Sequence, residues 1–348
     1  QPYKEYEMHK AGIRDVAREA GVSISTVSRA FTKPQLVSQA TRDRVMAAAN
    51  KLDFNISRSA MALKSGQTYR VALLMSEGIT SWFNAEVFAG IDDVMHGKGY
   101  DISLYQHIND AETRDRFFTV LPVLRNVDAV FVASFAIEPA EIEQLRRTKV
   151  PIVGINTPDP LRFDASETID DEGGMYRAAQ HMIKLGHKRI VYTCSAAAET
   201  LDASIDLRGH GFIRACERAQ NTHDISWKVL TVPRGRDFAD NALTAVLSED
   251  RFPDAICCQM DMMAIPLMIK LARHGYRAPR DYSIIGFDDA PYADTVELTT
   301  MRQNPYEMGR NAAMKALTLL EGRALEQPHA ILEPKLVLRG SDSRYEGE

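Results

Sequence analysis

The sequence predicts an α/β protein in which a small all-helical unit precedes two doubly wound parallel lobes. Three observations point to this architecture. The chain has 348 residues, which is too long for one ordinary hydrophobic core. Apolar residues recur at helical spacing in the first 68 positions, as amphipathic helices require. From Arg70 onward, short apolar runs alternate with helical stretches, and this series occurs twice.

The composition is that of a globular protein. Hydrophobic residues make up 45% of the chain and charged residues 26%, which are ordinary values. No apolar run approaches the roughly 18 residues of a membrane helix, and residues 1–10 lack the apolar core of a secretory signal. Cys194, Cys216, Cys257 and Cys258 form no C-x-x-C pair. We therefore expect a cytoplasmic protein with reduced thiols and without a metal or other cofactor.

Charge is distributed unevenly along the chain. Residues 1–68 carry eleven Lys and Arg against six Asp and Glu, whereas the remaining residues carry 31 against 41. A basic unit joined to an acidic body indicates that the basic unit alone binds a polyanion.

The basic unit is predicted to contain three short helices. Gly21 permits a tight turn after the first helix, and Ser23 is a suitable N-cap for a second helix over residues 24–30. Ser38 caps a third helix in the same way. Two short helices joined by a glycine turn and braced by a third form a helix-turn-helix. The apolar face of the first helix has i, i+3, i+4 and i+7 spacing and consists of Ile13, Val16, Ala17 and Ala20.

Residues 13–31, IRDVAREAGVSISTVSRAF, resemble the headpiece of the LacI/GalR family of bacterial transcriptional regulators. The similarity continues through VSQATRDRVMAAANKLDF and extends over residues 11–342. It implies a helix-turn-helix DNA-binding headpiece over residues 8–56 and a hinge over residues 57–68. Residues 69–342 then form an effector-binding and dimerisation domain.

The resemblance assigns DNA contacts mainly to the second helix. Arg29 has the donors to read guanine through a bidentate pair, and a phosphate contact alone is the alternative. Serine and threonine at a helix start are also ordinary caps. The positions that face base edges are Ile24, Ser25 and Arg29. The hydroxyl groups expected to bind phosphate or to close the helix are those of Ser23, Thr26 and Ser28, and Arg14 completes the headpiece set.

Residues 53–68, DFNISRSAMALKSGQT, resemble the hinge of this family, which becomes helical on DNA. Leu63 falls where the family inserts a leucine into the minor groove and bends the duplex. Ile56 stands where the family usually has proline, and Met61 where it usually has arginine, so one minor-groove contact is expected to be lost. A plain linker is the alternative.

The body resembles the periplasmic-binding-protein fold used as a sensor. We expect lobe one to comprise residues 69–166 and 302–328, and lobe two residues 167–301 and 329–342, with a last strand near 331–338. The stretch at 299–322, TTMRQNPYEMGRNAAMKALTLLEG, is expected to return a strand and a helix to lobe one. The other predicted strands are the apolar runs at 70–75, 101–105, 128–133, 151–156, 188–193, 228–232, 254–258 and 282–287.

Ligands of open parallel sheets bind at the carboxyl ends of the strands, so two such lobes predict a cleft between them. The resemblance makes Arg208 the clamp for an effector and Asp288 its acidic partner. The alternatives are a surface cation and a turn-forming residue. Met260 stands where the family usually has asparagine, which removes one hydrogen-bonding group. The predicted effector contacts are Ser76, Trp82, Phe83, Ser134, Asn156, Arg208, Phe238 and Asp288.

The sequence therefore predicts a homodimeric repressor that binds a palindromic DNA operator under the control of a carbohydrate effector. A purine- or nucleoside-responsive regulator with corepressor logic is the alternative, and a sugar-binding protein without DNA function is a weaker one. An enzyme is disfavoured. Asp170, Asp171 and Glu172 cluster, but no nucleophile–histidine pair or phosphate-binding glycine loop accompanies them in the sequence.

Overall fold

The computed structural model divides into two compact units, Gln1–Tyr69 and Arg70–Glu348. Most of the predicted hinge, including Ile56, Met61 and Leu63, lies outside the described residues. Those residues are 11–32, 34–54, 67–108, 111–124, 126–196, 203–235 and 237–347.

The described part of the first unit contains three α-helices, α1 (Ile13–Ala20), α2 (Ile24–Thr32) and α3 (Gln39–Lys51). Helix α1 ends because Gly21 adopts a left-handed conformation, with φ of 65°, which glycine tolerates without strain. Helix α3 begins at Ser38, whose side chain accepts a hydrogen bond from the Thr41 backbone N–H. The buried residues are mostly small, so the helices approach closely around Val16, Ala17, Ala20, Val27, Ala30, Val45, Ala48 and Ala49.

The second unit contains twelve strands in its described part. They are β1 (Arg70–Met75), β2 (Asp101–Tyr105), β3 (Ala129–Ala133), β4 (Ile152–Ile155), β5 (Ala165–Ile169), β6 (Arg189–Ser195), β7 (Ser226–Val232), β8 (Ala255–Cys258), β9 (Ser283–Asp288), β10 (Thr299–Arg302), β11 (His329–Leu332) and β12 (Lys335–Val337). The first sheet has the order β11-β5-β4-β3-β1-β2 and the second the order β12-β10-β9-β8-β6-β7. Every pairing is parallel except that of β10 with β12.

Helices connect these strands and cover the sheets, as parallel pairing requires. They are α4 (Trp82–Met95), α5 (Ala111–Leu124), α6 (Pro139–Arg146), α7 (Asp171–Lys184), α8 (Leu207–Gln220), α9 (Phe238–Leu247), α10 (Asp261–Arg273) and α11 (Pro305–Leu320). Helices α4 and α11 pack unusually close. A Cβ on Gly90 would lie 2.0 Å from the Tyr306 carbonyl oxygen, and one on Gly309 would lie 2.3 Å from the Val87 carbonyl oxygen. Within the described residues, no helix is long and apolar enough to cross a membrane.

The structure moves two of the predicted lobe boundaries. Strand β5 lies in the first sheet, so lobe one extends beyond residue 166. Strand β10, expected in lobe one, pairs with β9 and β12 in the second sheet, so that prediction is wrong. The single strand expected near 331–338 is two strands, because β11 joins the first sheet and β12 the second. Pro334 stands between them and has no N–H to donate, which ends the pairing of β11. The chain therefore crosses between the lobes after β5, after β10 and after β11.

Candidate functional site

The start of helix α2 is organised by hydroxyl groups. The Ser23 hydroxyl accepts a hydrogen bond from the Thr26 backbone N–H at 3.1 Å. It also lies 2.7 Å from the Ser25 hydroxyl and 2.9 Å from the Thr26 hydroxyl. Ser23 is thus the N-cap of this helix, one of the two roles that the sequence predicts for it.

Helix α2 separates a buried face from an exposed one. Val27 and Ala30 lie in the core of the first unit. Ile24, Ser25 and Arg29, the three positions expected to face base edges, are all exposed. Arg14 on α1 is exposed as well, whereas Thr26 and Ser28 are half-buried. The fold therefore leaves all three predicted base-contacting side chains exposed on helix α2.

All eight predicted effector residues line one cavity of about 390 Å³ between the two lobes. The loops after β1, β3 and β4 bring Ser76, Ser134 and Asn156 from lobe one. Ser134 and Asn156 adopt φ angles of 69° and 47°, and Asp288 at the end of β9 adopts 126°. Such backbone conformations are strained for residues other than glycine and tend to occur at functional sites. Lobe two contributes Arg208, Phe238 and Asp288, and helix α4 of lobe one contributes Trp82 and Phe83.

Arg208 is buried in the wall of this cavity, with 2% of its surface exposed. Its Nε donates to the Asp171 carboxylate at 2.7 Å. Its Nη1 donates to the Gln259 carbonyl oxygen at 2.6 Å and to Asp288 at 3.1 Å. The guanidinium also lies 3.7 Å from the centre of the Phe287 ring, a cation–π contact. The surface-cation alternative for Arg208 is therefore wrong, and the residue holds the site together besides facing the cavity.

Asn156 connects the two lobes. Its Nδ2 donates to the Ser204 hydroxyl at 2.9 Å and to the Asp171 carboxylate at 3.1 Å, and both partners belong to lobe two. Its Oδ1 accepts from the Ile169 backbone N–H at 3.0 Å, which fixes the amide orientation. A ligand that contacts Asn156 therefore acts on a bond between the lobes.

Buried carboxyl groups outnumber the cations around this cavity wall. Burial raises the pKa of Asp288 to about 6, against the opposing effects of Arg208 and the Gln303 hydrogen bond. Burial, reinforced by the charge of Asp288, raises the pKa of Asp261 to about 8. Asp261 accepts from the Thr300 hydroxyl at 2.7 Å and from the Ala290 N–H at 2.9 Å. Both hydrogen bonds favour the ionised carboxylate, but burial outweighs them, so Asp261 favours its neutral form at neutral pH.

Gln303 is a cavity residue that the sequence reasoning missed. Its Nε2 donates to Asp288 at 2.6 Å, and its buried Oε1 has no hydrogen-bond partner among the described residues. Gln303 directly follows strand β10. It could therefore have been predicted from the rule that ligands bind at the carboxyl ends of strands. Further lining residues that were not predicted are Glu77, Ser81, Asn84, Ser195, Ala203, Ser204, Ile205, Arg234, Gly235 and Met262.

Arg234 joins the lobes at the rim of the cavity. Its Nη1 lies 3.7 Å from the Glu77 carboxylate of lobe one, and its Nη2 lies 3.7 Å from Asp206 of lobe two. Its Nε donates to the Ala196 carbonyl oxygen at 2.5 Å. No sequence pattern marks this residue, because it lies in a loop and its partners are distant in the chain.

A second, more open depression of about 470 Å³ lies beside Trp82 and Gln303. Its arginines are already paired, since Arg302 contacts Asp289 at 2.5 Å and Arg339 contacts the same carboxylate at 2.6 Å. Trp82 is the one predicted effector residue that lines it, so the cavity that contains Arg208 is the stronger candidate for the ligand site.

The acidic cluster at the start of α7 has structural partners. Asp170 caps the helix by accepting from the Gly173 N–H at 2.8 Å. Asp171 pairs with Arg208, and Glu172 pairs with Arg214 at 2.6 Å. Among the residues that the structure describes, no group of three or more His, Cys, Asp or Glu is placed to hold a metal ion. These contacts explain the cluster without a catalytic role.

Two protein families match this chain. Residues 12–56 match the family described as bacterial regulatory proteins, lacI family, and residues 179–341 match the periplasmic binding protein-like domain. The HTH-type transcriptional repressor PurR of Vibrio vulnificus is 30% identical over 339 residues, which cover 94% of this chain and 98% of PurR.

Solved structures with the same architecture cover nearly the whole chain. The complex of the transcriptional regulator CelR with cellobiose is 25% identical, covers 95% of this chain and 99% of CelR, and gives a TM-score of 0.67. The lac repressor dimer bound to operator and the anti-inducer ONPF is 22% identical and gives a TM-score of 0.79. The match covers 96% of this chain and 99% of the lac repressor chain. These similarities confirm the predicted fold class, a helix-turn-helix followed by two parallel α/β lobes.

Proposed function

This chain belongs to the LacI family of bacterial transcriptional regulators, and we propose that it is a repressor whose operator affinity is set by a small molecule in the cavity between its lobes. The observation that carries the proposal is the convergence of all eight predicted effector residues on one cavity. The same chain presents Ile24, Ser25 and Arg29 on the exposed face of a helix-turn-helix. A DNA-reading surface and a ligand cavity in one molecule are what a controlled repressor requires.

The control mechanism follows from the contacts that cross the cavity. Asn156 bonds to Ser204 and Asp171, and Arg234 lies beside Glu77, so the lobe–lobe angle depends on groups that face the ligand. A ligand shifts the equilibrium between lobe angles only by its differential affinity for them. Lobe one directly follows the predicted hinge in sequence. We propose that its rotation, in a homodimer on a palindromic operator, changes the spacing of the two hinges and with it the insertion of Leu63.

The cavity chemistry favours an uncharged ligand that carries hydrogen-bond donors. Two carboxylates, Asp171 and Asp288, already flank the guanidinium of Arg208, and Glu77 opposes Arg234. An anionic ligand would add to this excess of buried negative charge, which is costly at low dielectric. Hydroxyl groups of a sugar can instead donate to Asp288 and Gln303, while aromatic faces cover the ring. The aromatic residues that line the cavity are Trp82, Phe83 and Phe238.

We therefore propose a neutral carbohydrate as effector, of the chemical class to which the cellobiose of the CelR complex belongs. A purine base or nucleoside is the second candidate, because the PurR repressors resemble this chain over nearly its whole length. Met260 and Met262 also give the cavity an apolar wall suited to a planar ring. Acting on DNA, the protein would work in the cytoplasm.

Thermal-shift measurements on the full-length protein test this proposal. Neutral sugars, sugar acids, purine bases and nucleosides are screened, and a true effector at 100 times its Kd should add about 2.7 kcal/mol of stability. Asp288→Asn should abolish the shift, whereas Asp224→Asn, at an exposed aspartate that lines neither this cavity nor the second depression, should keep it. Chemical turnover of the ligand would support the enzyme interpretation instead. A thermal shift that persists in Asp288→Asn would show that the ligand binds outside this cavity.

A further inference from the structure

Ile24 is a large apolar side chain held in solvent at the first position of helix α2. Its exposed fraction is 44%. It does not belong to the hydrophobic core of the first unit, which takes Val27 and Ala30 from the same helix. Isoleucine has poor helix propensity and gains little at an exposed helix start, where a polar residue would serve as well. Its position therefore indicates a contact made outside the unit itself.

The hydroxyl groups beside Ile24 hydrogen-bond to one another within the helix start. The Ser25 hydroxyl lies 2.7 Å from that of Ser23, and the Thr26 hydroxyl lies 2.9 Å from the same oxygen. Ser23 is further engaged as the acceptor of the Thr26 N–H. Beside this hydroxyl cluster, the branched alkyl group of Ile24 is the apolar feature that this end of the helix presents outward.

In the major groove, the apolar feature that distinguishes one base from another is the C5-methyl group of thymine. The first residues of a recognition helix are those that reach base edges, and the basic charge of this unit suits a duplex. We infer that Ile24 packs against a thymine methyl group in each half of the operator. This inference rests on the proposed function, and it makes the operator sensitive to a single methyl group.

The same contact predicts that methylation of cytosine in the operator changes the affinity of the protein. A 5-methylcytosine carries its methyl group at the same ring position as thymine, so Ile24 would contact it in the same way. Cytosine methylation at this operator position would then strengthen binding, whereas uracil, which lacks the methyl group, would weaken it.

The test uses duplexes that the full-length protein selects from a randomised pool. In the tightest selected duplex, each symmetric thymine pair is replaced in turn by deoxyuridine. Replacement at one pair should raise the Kd by about fourfold for each methyl group lost, the factor expected for burial of one methyl-sized group. Ile24→Ala should bind the thymine and uracil duplexes equally. At the same step, 5-methylcytosine should bind more tightly than cytosine, by about fourfold for each methyl group gained.

Met46→Ala is the matched control. It removes an apolar side chain of similar exposure, 41%, from helix α3 of the same unit, and it should retain the full wild-type loss on uracil. Two results would overturn the inference while leaving the repressor function intact. Either no uracil replacement weakens binding, or Ile24→Ala keeps the uracil penalty. If the protein selected no duplex from the pool, the DNA-binding function would fail, and the inference with it.

Discussion

Replacing Arg208 with alanine tests the buried network that shapes the cavity. The substitution removes the three hydrogen bonds that Arg208 donates. Their acceptors are Asp171 at 2.7 Å, the Gln259 carbonyl oxygen at 2.6 Å and Asp288 at 3.1 Å. Two buried carboxylates then face each other without a cation. Breaking a buried ion pair by removing one partner costs about 3–5 kcal/mol. We expect a loss of this size in the free energy of unfolding of the second unit near pH 7.5.

Urea unfolding followed by tryptophan fluorescence measures this loss. The chain has two tryptophans, Trp82 and Trp227, which lie in different lobes of the second unit, so the signal reports that unit alone. Arg214→Ala is the matched control on the same helix. Its pair with Glu172 at 2.6 Å is more than half exposed on the arginine side, and such pairs contribute about 0–1 kcal/mol.

The pH dependence provides a second check on the same variant. Because burial holds the pKa of Asp288 near 6, this carboxyl group protonates readily once the guanidinium is gone. The cost of Arg208→Ala should therefore be smaller at pH 5.5 than at pH 7.5. A loss no larger than that of Arg214→Ala at pH 7.5 would refute the view that Arg208 neutralises these carboxylates.

Three further predictions concern titration, packing and DNA. Since burial raises the pKa of Asp261 to about 8, the folded state holds a proton that the unfolded chain releases near pH 4. Urea titrations should show stability falling from pH 5 to pH 8, by up to roughly 1.4 kcal/mol per pH unit, and Asp261→Asn should flatten this slope. Gly90→Ala should lower the Tm by several degrees through its clash with the Tyr306 carbonyl, whereas Gly97→Ala, with open space around it, should change it little. Arg29→Ala should cost about 1–3 kcal/mol on the selected operator duplex and less on random DNA in anisotropy titrations; an equal loss on both would indicate a phosphate contact alone.

The apolar strands could be predicted because each is a short hydrophobic run between helical stretches. Strand β5 could not, since its sequence ASETI is mostly polar although every residue in it is buried. Two of its polar side chains have partners far along the chain. Glu167 pairs with Lys315 at 2.6 Å, and Ser166 lies 3.0 Å from the His329 ring nitrogen. The local sequence pattern does not reveal which distant residues will contact a strand.

The same distinction applies to the cavity. Ser76, Ser134 and Asn156 could be placed from the rule that ligands bind at strand ends, and family resemblance supplied Arg208. The role of Arg208 as a structural cation depends on Asp288, 80 residues away, which spacing alone does not reveal. Loop residues such as Arg234 were missed for the same reason.

Coupling between the cavity and the DNA-binding unit is tested by measuring operator affinity while the cavity is being filled. Fluorescence anisotropy of the selected duplex gives the Kd of the full-length protein at increasing concentrations of the ligand found by thermal shift. We expect at least a tenfold change in the operator Kd, with a midpoint that matches the binding of the ligand to the cavity. Asp288→Asn should remove this response. A ligand that saturates the cavity and leaves the operator affinity of the wild-type protein unchanged would contradict ligand-controlled repression.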